Sequence, residues 1–199
     1  MYDSDYHSNP FCPDVSLLVK YRDMNMDYSL FTNKSRNAID NAVALSKQCG
    51  YAAVEPQVMV AAIHQVDRDR IPFLLIQMGV DKNAFFTTIS DSLRSIHQSR
   101  TSEPGFSSEL LDVLQKAMQL SKHEAHDYIA LEYIFWAFIE TQNAMNGIMR
   151  QYGITSQKMA EAVHQTQKYK LYPERLDMFY HPTFSTILDY NPEIGGGMF

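Results

Sequence analysis

Residues 42–47 read AVALSK, and residues 117–122 read AMQLSK. The offset between the two stretches is 75 residues, from position 42 to position 117. The same offset relates further pairs of similar residues: Phe31-Thr32 and Phe106-Ser107, Val54 and Ile129, Met59 and Ile134, and Ala62-Ile63 and Ala137-Phe138. After a slip of one residue, Gly79-Val80 matches Gly153-Ile154. A fixed offset with a single slip over about 60 residues indicates an internal duplication.

The duplication predicts how the chain is organised. Two copies are too few for a solenoid, so we expect them to pack on each other around a pseudo-twofold axis. The copies are residues 31–97 and 106–167, and the linker between them is rich in Ser, Pro and Gly. The chain thus divides into an N-terminal arm (residues 1–30), a double-repeat domain (residues 31–167) and an aromatic C-terminal arm (residues 168–199).

Each copy reads as four helices. The first helix carries small and apolar residues at helical spacing: Ala38, Ile39, Ala42, Val43 and Ser46. Thr32 is a candidate N-cap for this helix, and Gly50 is a candidate C-cap. Pro56 suits the first turn of a second helix, and Asp81 can cap the fourth. Neither copy shows a convincing β-strand alternation, so the predicted fold is all-α, with two tandem four-helix repeats.

The composition is that of a folded protein with no sign of nucleic-acid binding. The 199 residues are 45% hydrophobic and 20% charged, which is typical of globular chains. The formal charge of −6 argues against a DNA- or RNA-binding protein, because phosphate contacts require a basic surface. The chain has only two cysteines, Cys12 and Cys49, so a disulfide framework is not expected.

The sequence shows no secretory signal and no segment suited to a membrane. The first residues are acidic and polar, whereas a secretory signal begins with a basic and then an apolar region. The most apolar run, residues 129–139, is far shorter than the roughly 20 residues that a membrane helix needs. We therefore expect a cytoplasmic protein that does not contact a membrane.

No constellation of residues predicts catalysis or a cofactor. The sequence has no phosphate-binding loop, so nucleotide hydrolysis by this chain is not expected. His123, His126 and Asp127 could share a helix face, but the spacing H-E-x-H differs from the zinc motif H-E-x-x-H. Neither cysteine has a neighbouring His in a nucleophile motif. The alternating charges of residues 67–70 read as a solvated loop rather than as an acid–base pair.

The duplicated pattern resembles the N-terminal domain of the Clp family of AAA+ unfoldases and disaggregases over residues 31–166. The residues that carry the resemblance are the opening Phe31-Thr32, the Ala42-x-x-Leu45-Ser46 helix, Val54-Glu55-Pro56, Gly79-Val80-Asp81, Phe106-Ser107, Ile129-x-x-Glu132 and Gly153-Ile154. One departure is Gln57, which stands where family members usually have a His. The resemblance implies a protein-recognition domain without the ATPase modules that normally follow it.

The resemblance also implies a binding surface. In the disaggregase branch, a Thr, an Asp and a Glu are linked to substrate binding. Thr32 and Glu132 align with the first and the last, whereas the Asp position falls on His126, with Asp127 next to it. The segment 128–138 has more large apolar residues than one helix face can bury, which predicts a groove. The candidate binding residues are Thr32, Asp127, Tyr128, Glu132, Tyr133 and Trp136.

The expected partners are therefore segments of unfolded client proteins or adaptors, with a Clp AAA+ ring as a further partner. The isolated protein is expected to be a monomer. One alternative is the recognition module of a type VI secretion sheath-recycling ATPase, which takes a helix from a sheath subunit. Another is a free-standing regulator that competes with the N-domain of a Clp motor, with its aromatic arms docking on the ring. The C-terminal arm, with seven aromatic residues, either packs on the domain or docks on a partner. A hydrolase or metal enzyme on a helical scaffold has no motif to support it.

Overall fold

The structure, a computed structural model, describes residues 27–99 and 103–168. Most of the two predicted arms lies outside these residues. The described residues form eight α-helices: α1 Asn33–Cys49, α2 Pro56–Val66, α3 Arg70–Gln77, α4 Lys82–Ser92, α5 Ser108–His123, α6 Leu131–Glu140, α7 Met145–Gln151 and α8 Ser156–Lys168. Short 3-10 helices cover Tyr28–Leu30 and Leu93–Ser95. The predicted all-α architecture, with four helices in each copy, is confirmed.

The first helices of the two copies begin in the same way. The Thr32 side chain accepts a hydrogen bond from the Ser35 N–H, and the Ser107 side chain accepts one from the Leu110 N–H. Each of these bonds satisfies a backbone donor in the first turn of α1 or α5, which has no partner within the helix. The capping role predicted for Thr32 is therefore confirmed, and Ser107 repeats it in the second copy.

The same two helices also end alike, although the residues differ. Gly50 follows α1 in the left-handed conformation with φ of 68°, and the Tyr51 N–H then bonds the Ser46 carbonyl at 2.9 Å. At the matching position after α5, Ala125 has φ of 57°, and the His126 N–H bonds the Ser121 carbonyl at 2.8 Å. The second copy therefore keeps the helix ending without the glycine that favours it.

Replacing Ala125 with Gly is expected to raise the free energy of unfolding by about 0.5–1 kcal/mol. A left-handed L-residue costs about 1–2 kcal/mol, part of which the greater unfolded-state freedom of Gly offsets. Urea denaturation monitored by circular dichroism measures the change. Gly50→Ala is the converse variant and should lower stability by about 1 kcal/mol. A less stable Ala125→Gly variant would show that the Ala125 methyl group makes a needed contact.

Two very short strands join the copies. β1 (Ala53–Val54) pairs in parallel with β2 (Gly105–Phe106), with Val54 opposite Phe106. An isolated parallel bridge pairs Phe31 with Ile129. The two pairings are related by the 75-residue offset, so the head of each copy pairs with the segment before the second helix of the other copy. These two equivalent pairings between the copies show the predicted pseudo-twofold symmetry. Strands of two residues are too short to show an alternating pattern in the sequence.

Both copies contribute to one hydrophobic core. Phe85 of α4 is fully buried and contacts Phe135 of α6, with ring centroids 6.0 Å apart. Its ring also contacts that of Tyr152, which follows α7, at 5.4 Å. The Tyr152 hydroxyl donates a hydrogen bond to the Ala84 carbonyl at 2.8 Å. Because α4 belongs to the first copy and α6 and α7 to the second, these contacts bind the copies into a single unit.

Candidate functional site

The segment between α5 and α6 carries the most exposed of the predicted binding residues. We call residues 124–130 the α5–α6 loop. Within it, Asp127 is exposed, and Tyr128 retains 49% of its accessible surface. Tyr128 and Ile76 are the exposed large hydrophobic residues among those the structure describes. The loop therefore offers a carboxylate and an aromatic ring side by side to a binding partner.

The start of the loop is tied to α5 and α8 through Glu124. One Glu124 carboxylate oxygen lies 2.8 Å from Nε2 of His164 in α8, and the other lies 3.2 Å from Nδ1 of His123. Burial raises the pKa of Glu124, but the hydrogen bonds with His164 and His123 outweigh it and leave this pKa below its usual range. The carboxylate form of Glu124 thus favours the contact that holds the loop against α8.

The middle of the loop rests on Tyr133. The Tyr133 hydroxyl lies 2.6 Å from Nδ1 of His126, and the two rings meet edge to face at 5.5 Å. Tyr133 has no exposed surface. Tyr133, one of the candidate binding residues, therefore lies beneath the loop. It supports the exposed Asp127 and Tyr128 from inside the fold.

The end of the loop lies beside the head of the first copy. The Ile129 N–H donates to the Leu30 carbonyl at 2.7 Å, and the Thr32 N–H donates to the Ile129 carbonyl at 3.1 Å. Thr32 keeps 8% of its accessible surface, and its hydroxyl lies 2.9 Å from that of Ser35. Thr32 thus lies next to the loop, with its hydroxyl already engaged in capping α1.

Glu132 is buried in an ion pair between the two copies. Its Oε2 atom lies 2.7 Å from Nη1 of Arg70 in α3, and the side chains retain 7% and 10% of their accessible surface. Glu132 lies in the first turn of α6, where the helix N-terminus favours a negative charge. The carboxylate that the resemblance assigns to substrate binding is therefore already paired within the domain.

Asp67, three residues before Arg70, is also buried, whereas Arg68 between them is exposed, so the interpretation of residues 67–70 as a solvated loop is corrected at Asp67 and Arg70. Asp67 has no exposed surface and accepts hydrogen bonds from the N–H groups of Arg70 at 3.3 Å and Ile71 at 2.6 Å. Lys34 of α1 forms an ion pair with Asp67 at 3.3 Å. An acid shortly before an apolar run is a sequence signal for a helix start, and it could have identified Asp67. No local signal identifies the partner of Arg70.

Trp136 faces α8 rather than a groove. The side chain keeps 6% of its accessible surface, and its Nε1–H donates to the Ser156 hydroxyl at 3.1 Å. The same hydroxyl also bonds the Glu140 carboxylate. α8 therefore covers the face of α6 that carries this candidate binding residue. Of the six candidate residues, Asp127 and Tyr128 are the ones the structure places on the surface.

Among residues 27–99 and 103–168, no three His, Cys, Asp or Glu side chains come together in a way that could hold a metal ion. In that same part of the chain, no helix has the length and apolar character needed to cross a bilayer.

Comparison with known sequences identifies relatives of this domain. Residues 30–152 match the family described as Clp repeat (R) N-terminal domain. The chain is also 27% identical over 143 residues to the chaperone protein ClpB of Bacteroides thetaiotaomicron. That alignment covers 72% of this chain and 17% of the chaperone, so the chain spans about one sixth of this curated relative.

Comparison with solved structures gives the same fold. The N-terminal domain of Hsp104 from Candida albicans aligns with a TM-score of 0.61 at 21% identity, covering 69% of this chain and 91% of that domain. A ClpV N-domain, solved in complex with a VipB peptide, aligns with a TM-score of 0.55 at 16% identity, covering 79% of this chain and 94% of that chain. At these identities the likeness concerns the fold.

Proposed function

This chain belongs to the Clp N-terminal domain family, and from that premise we propose that it binds short segments of other proteins. The observation that carries the proposal is the α5–α6 loop, which presents Asp127 and Tyr128 on a frame held at both ends. The ClpV N-domain of the same fold, solved with a VipB peptide, supports peptide binding as the role of this domain. The proposed role is recognition without catalysis.

The chemistry of the loop indicates what kind of segment it binds. A large apolar side chain that packs on the Tyr128 ring loses its contact with water, which contributes about 1.5–3 kcal/mol. Asp127 can accept hydrogen bonds from the backbone of the segment or pair with a basic side chain. Because the loop is anchored by Glu124 and Ile129, little of this energy is spent on ordering it. We expect weak binding of apolar segments that carry a nearby positive charge.

The proposed partners follow from the relatives. ClpB is a chaperone, and this domain corresponds to a small part of it, so we propose that the bound segments come from unfolded clients or adaptors and pass to a Clp AAA+ ring. We further propose that the domain is monomeric and cytoplasmic. A second candidate, favoured by the ClpV–VipB peptide complex, is recognition of one helix from a secretion-sheath subunit. Promiscuous binding supports the first candidate, and tight binding of one helical sequence supports the second.

Replacing Tyr128 with Ala is expected to weaken binding at least tenfold, because the exposed ring supplies most of the apolar contact. Fluorescence anisotropy of labelled peptides measures the change, with one set drawn from an unfolded client and one from an amphipathic helix. Stability should change by less than about 0.5 kcal/mol, since the side chain is exposed.

Two variants serve as controls for this experiment. Tyr128→Phe keeps the ring and should bind like the unsubstituted protein. Ile76→Ala removes a side chain that is 53% exposed at the end of α3, and it tests whether any exposed apolar group would give the same effect. Equal losses in Ile76→Ala and Tyr128→Ala, or unchanged binding in Tyr128→Ala, would contradict the proposal.

A further inference from the structure

We infer that Glu132 is a positioning residue: with Arg70 it connects the two copies and holds the α5–α6 loop in place, without contacting the bound segment. This assignment differs from direct contact with substrate, which the family resemblance implies for Glu132. The inference rests on the proposed function for its binding test, but not for its structural test.

The first argument is that the Glu132 carboxylate is already committed. Oε2 lies 2.7 Å from Nη1 of Arg70, and only 7% of the Glu132 side chain is exposed. A segment that used this carboxylate would have to displace the guanidinium group of Arg70. The Arg70 side chain is only 10% exposed, so its positive charge would then lose the Glu132 anion while it stays largely buried. Such a loss is energetically costly.

The second argument is that the pair bridges the copies at a defined place. Arg70 begins α3 in the first copy, and Glu132 lies in the first turn of α6 in the second copy. Asp67 holds the backbone N–H of Arg70 and also pairs with Lys34 of α1. A continuous series of polar contacts therefore runs from α1 through α3 to α6.

The third argument is the distance along the chain between the pair and the exposed loop. Glu132 follows Tyr128 by four residues, and the parallel bridge between Phe31 and Ile129 lies between them. Any rotation or shift of the start of α6 therefore moves Asp127 and Tyr128 relative to the first copy. The Arg70–Glu132 pair fixes that start, so it sets the position of the surface that we propose binds segments.

The test compares removal of one partner with removal of both. Glu132→Leu removes the carboxylate that pairs with Arg70, whereas the double variant Arg70→Met with Glu132→Leu replaces the pair by apolar side chains of similar size. Glu132→Gln is a third variant that keeps the shape and a hydrogen bond to Arg70. Arg94→Met is the matched control, because its ion pair with Asp91 is exposed, with 83% and 60% of the side chains accessible.

Three readouts separate position from contact. Thermal unfolding reports stability, the labelled peptide reports binding, and Trp136 fluorescence reports the placement of α6. Trp136 suits this purpose because it is the single tryptophan of the chain and lies in α6, bonded to Ser156 of α8. The last readout does not depend on any ligand, so it tests the positioning role even if the protein binds no segment.

A positioning role predicts a distinct pattern. Glu132→Leu should melt at a lower temperature, change the Trp136 emission and bind more weakly. The double variant should regain the melting temperature, the Trp136 emission and the affinity of the unsubstituted protein. Both the double variant and Glu132→Gln should bind within about twofold of that protein, because a residue that does not contact the segment changes affinity little. Arg94→Met should change none of them.

Three results would overturn the inference. The first concerns the double variant and Glu132→Gln. If either has normal melting and Trp136 emission but binds the segment at least tenfold more weakly, the Glu132 carboxylate contacts the segment. The second is a Glu132→Leu variant that melts and fluoresces like the unsubstituted protein. The third is a double variant that fails to regain the melting temperature. If the unsubstituted protein binds no segment, the proposed function fails while the melting and fluorescence results still decide the role of the pair.

Discussion

Replacing Phe85 with Ala should lower the free energy of unfolding by about 3–5 kcal/mol, the range typical of buried Phe to Ala substitutions. Phe85 has no exposed surface, and its ring contacts those of Phe86, Phe135 and Tyr152. The cavity would open between α4 and the second copy, where both copies are packed and little can move to fill it. Urea denaturation followed by circular dichroism measures the loss.

The control for Phe85→Ala is Ile76→Ala, a truncation at a site with 53% exposure, which should stay within about 0.5 kcal/mol of the unsubstituted protein. The Phe85 variant should also unfold in one transition, because the two copies share a single core. Two separate transitions, or a loss below about 1 kcal/mol, would show that the copies fold independently of the Phe85 contacts.

Replacing Asp67 with Ala should lower the free energy of unfolding by about 3 kcal/mol, since charge-assisted hydrogen bonds contribute about 1.5–3 kcal/mol each. The carboxylate is fully buried and accepts the N–H groups of Arg70 and Ile71, which begin α3. Its loss leaves these donors without the acceptor and also leaves Lys34 without its anion. Chemical denaturation measures the stability, and circular dichroism shows whether helix content falls.

Asp81→Ala is a closely matched control for Asp67→Ala. The Asp81 carboxylate also accepts two N–H groups at a helix start, those of Asn83 and Ala84, but it is exposed to solvent. Water can replace an exposed cap, so we expect a loss of about 1 kcal/mol. Equal losses for the two variants would contradict the view that burial makes the Asp67 contacts costly to remove.

Much of the fold follows from local patterns in the sequence. Residue type predicts the helix starts at Thr32 and Asp81 and the helix end at Gly50, and the structure confirms them. These features depend on a few neighbouring residues, because a cap satisfies backbone groups within one turn. The repeat at a fixed offset likewise predicts the pseudo-twofold arrangement.

The candidate site was harder to predict, because it depends on which faces are covered. Residues 133–139 of α6 are all apolar or aromatic, so the sequence of α6 does not show which of them face a groove and which face a neighbouring helix. The structure encloses Tyr133 beneath the loop and turns Trp136 toward α8, leaving Asp127 and Tyr128 exposed.

The sequence by itself determined the family, the duplication and several helix starts and ends, because each depends on residue types at short or regular spacings. Only the tertiary structure showed that Asp67, Arg70 and Glu132 are buried and that Arg70 and Glu132 pair across the two copies. The physical reason is that the energy of a charge depends on its distance from solvent and from the opposite charge. Here the partners are 62 residues apart in the chain, and packing alone brings them together.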